Sequence, residues 1–308
     1  RMQLNHYVHM LGDDLKQRYG ERIHKLSLHG AFTCPNRDGT LGRGGCTFCN
    51  VASFADEQAQ VLPIQQQLRQ RASESNRASR YLAYFQAYTS TYAEVDYLRQ
   101  MYEEALGVAD IVGLCVGTRP DCVPDAVLDL LSGYRQRGFE IWLELGLQSA
   151  NEATLKRINR GHGYRAYEDA VIRARARGIK VCTHLIVGLP GEQAMESLTT
   201  LQRVVQTGTD GIKLHPLHVV EGSTLGKAWQ AGRLQVPTLA EYVQAATAMI
   251  QHTPPEVIYH RVSASARRPT LLAPEWCENR WSAMVEIAKA LELSGGQGSA
   301  LGAPYVGP

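Results

Sequence analysis

The sequence predicts an α/β fold: a partial (β/α)6 barrel of the TIM type with parallel strands, followed by a C-terminal α+β extension. Strand-like and helix-like segments alternate six times between residues 23 and 217, and parallel strands are joined by helical crossovers of this kind. Six units fall short of a closed barrel. We therefore expect an open or partial barrel, with a doubly wound sheet as the alternative.

The individual elements follow from apolar spacing and from Gly and Pro at their ends. A helix-like pattern at 2–22 precedes a first strand at 23–32. Five further strands are apolar runs, the third of them near-continuous as in buried parallel strands, at 81–85, 111–116, 140–147, 179–187 and 211–217. Helical spacing between the strands is centred on 61–79, 95–106, 124–134, 167–174 and 198–205.

The chain divides into four parts on these patterns. Residues 1–21 form an N-terminal helical segment, and 22–225 form the barrel. Residues 226–293, with a helix at 238–251 and a strand at 257–261, form an extension that we expect to cover the barrel. The Gly-rich segment 294–308 is predicted to be a flexible tail.

Composition places limits on location and partners. The 308 residues include seven cysteines, an odd number without a regular framework, and carry a net charge of +2. Such cysteine usage favours a reducing compartment, and we find neither a signal peptide nor an apolar run long enough for a membrane helix. We expect a cytoplasmic protein with no membrane partner, and a charge this small does not by itself indicate nucleic acid.

Polar and turn-forming residues follow each of the six predicted strands. In a parallel α/β sheet, ligands bind at the carboxyl ends of the strands. One such loop alone could be ordinary turn chemistry, but six loops at one edge favour a ligand site. They lie at 34–49, 86–91, 117–121, 148–149, 188–191 and 215–218.

Three cysteines within the first of these loops indicate a metal centre. Cys34, Cys46 and Cys49 have the spacing C-x11-C-x2-C in a polar, Gly-rich segment. Thiolates select zinc, copper(I) or iron–sulfur clusters. A structural zinc site needs a fourth ligand, such as His29, whereas a four-iron cluster on three cysteines leaves one iron open. Ordinary buried thiols are the third alternative.

Four motifs together resemble the radical S-adenosylmethionine (SAM) enzymes, over roughly residues 22–225. The resemblance is to the branch that contains the catalytic subunit of Elongator and oxygen-independent coproporphyrinogen oxidase, and most closely to the YhcC/YtqA-type proteins. Those proteins share the long first gap between cysteines and the stretch at 85–91. The motifs are the cysteine loop with Phe48 before Cys49, then 144–149, 155–162 and 188–191.

The resemblance implies a [4Fe-4S] cluster on Cys34, Cys46 and Cys49, with SAM chelating the open iron. An electron from the cluster would cleave SAM to methionine and a 5′-deoxyadenosyl radical, which abstracts hydrogen from the substrate. It also implies a reducing partner such as flavodoxin or ferredoxin.

The resemblance further assigns contacts to SAM near the cysteine loop. Phe48 would lie by the adenine through its backbone. Gln86, Ala87 and Tyr88 replace the family's glycine-rich turn, which receives the methionyl amino group, so side chains here narrow the pocket. Gly117 stands where relatives have Glu, so that contact is either absent or supplied from elsewhere, with Glu144 as the candidate.

Four further positions match SAM contacts of the family. Gln148 matches a ribose contact, and Arg160 matches the residue that pairs with the carboxylate, for which an arginine fork is well suited. His184 stands where relatives carry an acidic ribose ligand, and Ile186 would pack on the adenine.

Each of these residues also has a structural interpretation. Arg160 could be a surface arginine and His184 a satisfied core histidine. Glu144 on an apolar strand is harder to dismiss, because a buried carboxylate needs partners. Cys115 and Cys182 lie within apolar strands and are predicted to be core residues; Cys122 is ambiguous.

Cys277 in the C-terminal extension is the candidate catalytic residue. It lies between Trp276 and a charged triplet, and could donate or accept a hydrogen atom or serve as an auxiliary ligand. A packed thiol is the alternative.

The resemblance favours tRNA as substrate, with modification of a wobble-uridine side chain. Arginines could form a basic rim for phosphates, and aromatic residues could stack bases. A small-molecule metabolite or porphyrin precursor is the rival substrate, and a zinc-stabilised binding module without catalysis is the rival class. The rim candidates are Arg157, Arg160, Arg165, Arg261, Arg267 and Arg268; the stacking candidates are Tyr259, Trp276 and Trp281.

Overall fold

Seven parallel strands form the main sheet in the computed structural model, which describes residues 3–28, 63–74, 80–85 and 94–303. The first six follow chain order across the sheet, and the seventh lies beside the sixth. The strands are β1 Ile23–Leu28, β2 Arg80–Phe85, β3 Ile111–Thr118, β4 Glu140–Gln148, β5 Lys180–Val187, β6 Gly211–Pro216 and β8 Ile258–Arg261. This confirms the predicted α/β fold with a parallel half-barrel sheet.

The seventh strand comes from the segment that was predicted only to cover the barrel. Gly211 pairs with Ile258 and Ile212 with Tyr259, in parallel. Tyr259 is fully buried, so this strand extends the sheet because its apolar side chains join the same core. A second pair of strands, β7 Val219–Val220 and β9 Leu271–Ala273, is antiparallel.

The helices confirm the alternating pattern, with several differences. The pattern at 2–22 becomes a 3-10 turn at Leu4–His6 and a helix that begins only at Leu11. An unpredicted helix at Glu152–Arg157 is capped by Asn151, whose side chain accepts from the Thr154 amide, and the helices at Thr224–Gln230 and Arg280–Ser294 were not predicted either. The helices are α1 Leu11–Tyr19, α2 Ile64–Glu74, α3 Val95–Leu106, α4 Asp125–Gln136, α5 Glu152–Arg157, α6 Tyr164–Ala176, α7 Ala194–Gln206, α8 Thr224–Gln230, α9 Leu239–Gln251 and α10 Arg280–Ser294.

Two apolar clusters cover the two faces of the sheet. The larger one packs the outer helices on the strands. In the smaller one, Leu11 and Leu15 of α1 pack with Leu82, Trp142 and Ile258. Because these strand residues lie in the first halves of their strands, α1 closes the inner face near the amino ends and leaves the carboxyl ends for a site.

A buried carboxylate holds α1 in this position. Glu140, at the start of β4, accepts hydrogen bonds from Arg18 at 2.7 and 2.9 Å, from Tyr19 at 2.8 Å and from Lys180 at 2.8 Å. Burial alone would raise the pKa of Glu140, but the hydrogen bonds from Arg18 and Lys180 outweigh it and lower the pKa to about 2. The carboxylate is therefore charged at neutral pH.

The segment after α10 is held by hydrogen bonds as far as Ala303. This corrects the prediction of a flexible tail for residues 295–303. The Gln297 amide donates to the Tyr7 carbonyl at 2.8 Å. The Gln297 side chain accepts from the His9 amide and donates to the carbonyls of Pro254 and Val257, each at 2.8 Å. Gly296 allows this close approach, because a Cβ there would lie 2.9 Å from the Tyr7 carbonyl oxygen.

Across the described ranges, no helix has the length and apolar character that crossing a membrane requires.

Candidate active site

A cavity of about 330 Å³ opens at the carboxyl ends of β4, β5 and β6. Three residues predicted to contact SAM contribute to its wall, one from β4 and two from β5. The lining residues are Gln148, His184, Ile186, His215, Pro216, Leu217, His218 and Val220. The predicted edge of the sheet therefore carries a cavity of the size that small-molecule sites have.

Gln148 reaches the cavity from an irregular end of β4. Its φ is +73°, in the left-handed region, and the pairing of β4 with β5 shifts between Gly146 and Gln148. A side chain in this backbone conformation costs about 1 kcal/mol or more. Such strain is typical of positions where a side chain is aimed at a ligand.

Glu144 is fully buried on β4, behind His184, and contacts two lysines and a histidine from other strands. Its carboxylate oxygens lie 2.9 Å from Lys25 Nζ, 2.6 Å from His184 Nε2 and 3.5 Å from Lys213 Nζ. Burial opposes ionisation, but the two lysine charges outweigh it and hold the pKa of Glu144 well below its usual range. The predicted need for partners is thus met within the protein.

The two lysines of this network were missed in the sequence. Lys213 is buried and donates to the Tyr84 hydroxyl at 3.0 Å, and both amines lie 4.7 Å from the centroid of the Tyr84 ring. Lys25 also contacts Nδ1 of His260 at 3.0 Å. For Lys213, a lysine inside a largely apolar strand was the available signal, because a buried cation also needs a partner. Lys25 lies in a strand with other polar residues and gave no such signal.

The lysine charges differ in how well they are compensated. Burial disfavours both ammonium groups; nearby Glu144 still raises the pKa of Lys25, whereas the pKa of Lys213 is lowered. Lys213 lies farther from the carboxylate than Lys25 does. One carboxylate thus faces two lysines, and the network carries excess positive charge.

His184 is both a satisfied histidine and a cavity residue. Burial and the nearby Lys213 charge lower its pKa to about 4, so it is neutral at pH near 7. Since Nε2 faces the ionised Glu144, that nitrogen carries the proton, and Nδ1 is an acceptor. The ring stacks on His215 with centroids 6.2 Å apart.

Arg160 is buried at the edge of the site, so the surface interpretation is wrong. Its Nε donates to His162 Nε2 at 2.9 Å and its Nη2 to the Gly146 carbonyl at 2.7 Å. Burial and the Arg160 charge lower the pKa of His162 to about 3, so that ring accepts from Arg160 as a neutral group.

Gly146 lets Arg160 and Gln148 come together. A Cβ at Gly146 would lie 2.8 Å from Nη2 of Arg160 and 3.0 Å from Nε2 of Gln148. Two residues predicted to contact different parts of SAM therefore meet across one glycine.

The cysteines within the described ranges are buried thiols. Cys115 and Cys182 are core residues, as predicted, and Cys122 is also buried. Cys277 lies in the 3-10 turn Glu275–Glu278, and burial raises the pKa of its thiol to about 12. It is therefore protonated and packed, which favours the alternative to the catalytic prediction.

Ligand atoms of Glu144, Cys182 and His184 lie within 4.8 Å of one another. This geometry could suit a metal ion, but Lys25 and Lys213 already compensate the carboxylate and would repel a cation. Burial also raises the pKa of Cys182 well above its usual range. The three residues are better described as part of the charged network.

The remaining site predictions lie outside the described residues. They concern Cys34, Cys46, Cys49, Phe48, Gln86, Ala87, Tyr88 and the alternative ligand His29, and they stay predictions.

Comparison with known proteins defines the class. Residues 36–204 match the Radical SAM superfamily, and residues 209–292 match the Radical_SAM C-terminal domain. The first match covers more than half of the chain, and the chain belongs to the radical SAM superfamily and is a radical SAM enzyme.

Relatives extend over the whole chain. It is 66% identical to Protein YhcC of Escherichia coli K12, over 100% of this chain and 99% of that protein. It is 38% identical to the uncharacterized protein YtqA of Bacillus subtilis, over 93% of this chain and 90% of that protein. The structure of Elp3 from Methanocaldococcus infernus has a TM-score of 0.66 at 17% identity, over 89% of this chain and 63% of that chain, and supports the fold.

The cofactors of this enzyme are those of its family, a [4Fe-4S] cluster and SAM. The residues present fit both groups. Cys34, Cys46 and Cys49 supply three thiolates, the ligands that iron–sulfur clusters use. The cavity provides space for a polar ligand, and Nε2 of His215 and Nε2 of His218 have no hydrogen-bond partner within the part of the chain that the structure describes. Family membership thus favours the cluster over the zinc-binding module.

Proposed function

We propose that this radical SAM enzyme modifies RNA, with a wobble uridine of tRNA as the target. One observation carries the proposal: Arg261, at the carboxyl end of β8, is exposed and pairs across the sheet with Lys213, two residues before the cavity residue His215. Its charge helps to lower the pKa values of His215 and His218, after the larger effect of burial. A cation at the mouth of the site could bind a phosphate while the nucleoside enters.

Neighbouring residues support a basic surface there. Arg267 and Arg268 are exposed in the segment that follows β8, and Arg268 pairs with Glu278 at 3.2 Å. Trp281 is 56% exposed, with the Arg280 guanidinium 4.7 Å from its ring centroid. An exposed tryptophan beside arginines is suited to base stacking.

Several candidates do not belong to this surface. Tyr259 is buried, with its hydroxyl 2.7 Å from that of Thr253, and the partly buried Trp276 donates to the Pro237 carbonyl. Arg160 is buried beside β4. Arg157 and Arg165 are exposed and stay candidates.

We further propose that the cavity holds the nucleoside part of SAM. Gln148 and His184 would contact the ribose, Ile186 would pack on the adenine, and Arg160 would pair with the carboxylate. When bound and reduced, the cluster and SAM supply a 5′-deoxyadenosyl radical for hydrogen abstraction. The chain orients SAM from β4 and β5, and the buried core beneath keeps water away.

The proposed electron donor is a small redox protein of the flavodoxin or ferredoxin type, in the cytoplasm. A mixing experiment tests it: the reduced donor should replace dithionite in supporting SAM cleavage. Cleavage with dithionite but with neither protein would contradict the choice of donor.

SAM cleavage tests the reaction type. Anaerobically purified protein should be brown and, after reduction with dithionite, should form 5′-deoxyadenosine from SAM. Replacing Cys34, Cys46 and Cys49 by Ala should remove both the colour and the product. A colourless wild-type protein with one bound zinc would contradict the cluster.

Binding to bulk tRNA at several salt concentrations tests the substrate class. The R261Q/R267Q/R268Q variant should bind more weakly, with a salt slope reduced by about 2 to 3 because three phosphate contacts are lost. The matched control R69Q/R71Q/R99Q removes three arginines from the outer helices α2 and α3. Binding that is absent, independent of salt, or equally affected in the control would contradict the RNA proposal and favour a small-molecule substrate.

A further inference from the structure

We infer that Glu144 is a positioning residue that acts through His184, fixing the imidazole so that Nδ1 accepts a hydrogen bond from a hydroxyl of the ligand in the cavity. This role rests on the proposed binding of the SAM nucleoside there. Glu144 itself lies behind His184, and the contact to the ligand is made by the histidine.

The geometry fixes the tautomer of His184. Its Nε2 lies 2.6 Å from Glu144 Oε1, a short hydrogen bond to a carboxylate that is fully buried. An ionised carboxylate can only accept, so Nε2 donates. Nδ1 has no proton and is left as the acceptor of a ring that lines the cavity.

The lysines keep this arrangement in place. Lys25 and Lys213 reach the carboxylate from β1 and β6, at 2.9 and 3.5 Å. Their charges hold Glu144 ionised, so the hydrogen bond to His184 is charge-assisted. A carboxylate behind an imidazole both orients the ring and makes its other nitrogen a better acceptor.

The cavity wall indicates what the ligand must offer. Nε2 of His215 and Nε2 of His218 are buried and have no hydrogen-bond partner among the described residues. Ile186, Leu217 and Val220 provide apolar surface around them. Neutral imidazoles on an apolar wall suit an uncharged ligand with hydroxyl groups, as the ribose of a nucleoside has.

Ligand analogues separate this role from a merely structural one. The test uses full-length, cluster-loaded protein and equilibrium dialysis with S-adenosylhomocysteine and its 2′-deoxy and 3′-deoxy forms. For the wild type, we expect at least one deoxy form to bind about tenfold more weakly than the parent, as the loss of a good hydrogen bond implies.

Variants of Glu144 and His184 should reduce the ratio of the affinity for S-adenosylhomocysteine to that for its deoxy form. The affinity for the deoxy form itself should not change. We expect a ratio below about threefold for Glu144→Gln and close to one for His184→Ala. Glu144→Asp keeps the charge, but its shorter side chain moves the carboxylate away from Nε2 of His184, so it should also lower the ratio of the two affinities. This variant replaces Glu144→Gln if Glu144→Gln does not fold. Glu168→Gln, an exposed carboxylate on α6, should keep the wild-type ratio.

Three results would overturn the inference. Equal weakening of parent and deoxy ligands in the Glu144 variants would show a structural role only. If the wild type bound the parent and both deoxy ligands equally well and still cleaved SAM, the proposed hydroxyl contact would be wrong and the proposed function would stand. Failure of the wild type to bind SAM at all would instead overturn both.

Discussion

At the scale of single residues, the site contains side chains that cost the folded protein stability. Gln148 holds a left-handed backbone conformation, which glycine adopts without strain. Glu144 lies between the buried Lys213 and the partly buried Lys25, and desolvating such charges costs much of what their attraction contributes. Both features become understandable when a ligand has to be oriented at the end of β4.

Gln148 offers a direct comparison of strain with binding. We expect Q148G to be more stable than Q148A by about 1 kcal/mol, because glycine relieves the left-handed strain and alanine does not. Both variants should bind SAM more weakly than the wild type, since both lose the amide. Urea unfolding and equilibrium dialysis measure the two effects. Equal stability of the variants would contradict the assignment of strain.

His184 should make the protein sensitive to mild acid. Its pKa is lowered from 6.5 to about 4 in the folded state, so the unfolded chain binds the proton first. Stability should fall as pH drops from about 6.5 towards about 4. In H184Q this part of the loss should disappear, while His162, with a pKa near 3, still contributes. Parallel curves of unfolding free energy against pH for variant and wild type would contradict the prediction.

At the scale of elements, the position of α1 depends on one carboxylate at the opposite end of β4 from the site. Glu140 connects α1 to β5 through Arg18 and Lys180. The arrangement explains why a short polar helix packs stably on the inner face of the sheet. It also separates two functions of β4, whose amino end holds the helix and whose carboxyl end holds Gln148.

Replacing Glu140 should loosen α1. We expect E140Q to lose about 2 kcal/mol at neutral pH, because buried hydrogen bonds to two cations are weakened. Stability of the wild type should also fall as pH drops from about 4.5 towards about 2, the folded-state pKa, and E140Q should lack this slope. Urea unfolding measures both.

The matched control for this prediction is E103Q. Glu103 forms an exposed pair with Arg137 at 3.4 Å, and such pairs contribute about 0 to 1 kcal/mol. A loss in E103Q as large as in E140Q would contradict the special role of the buried carboxylate.

At the scale of the whole molecule, the two ends of the described chain meet beside β8. The backbone of residues 7–10 and the segment 295–303 contact each other through Gln297, and the Tyr259 amide donates to the His9 carbonyl at 2.8 Å. The seventh strand is therefore held on both sides, by β6 and by the N-terminal segment.

Removing the Gln297 side chain should weaken this closure. We expect Q297A to lose about 2 kcal/mol, since three partly buried hydrogen bonds disappear and backbone groups of His9, Pro254 and Val257 lose partners. E292A, at an exposed position of α10, should change stability little. Thermal unfolding compares them, and similar midpoints for the two variants would contradict the anchoring role.

Much of the fold could be predicted from short segments of the sequence. The first six strands were predicted because each apolar run is bounded by Gly, Pro or polar residues, and strand and helix differ in period. The place of Ile258–Arg261 in the main sheet could not be predicted in this way, because only pairing with β6 shows that this short run belongs to the same sheet. The prediction of a flexible tail was wrong for residues 295–303 for a related reason, since their hydrogen-bond partners lie far away in the sequence, at Tyr7 and at Ile250 and Gln251.

The sequence by itself determined the α/β class, the cysteine motif of a radical SAM enzyme and the edge of the sheet that carries the site. These features are local, since spacing and residue type within a short segment define each one. Only the tertiary structure decided that Lys25, Glu144, His184 and Lys213 form one network. These residues lie on four strands, and their contacts arise from strand register and from the exclusion of water, which no local pattern specifies.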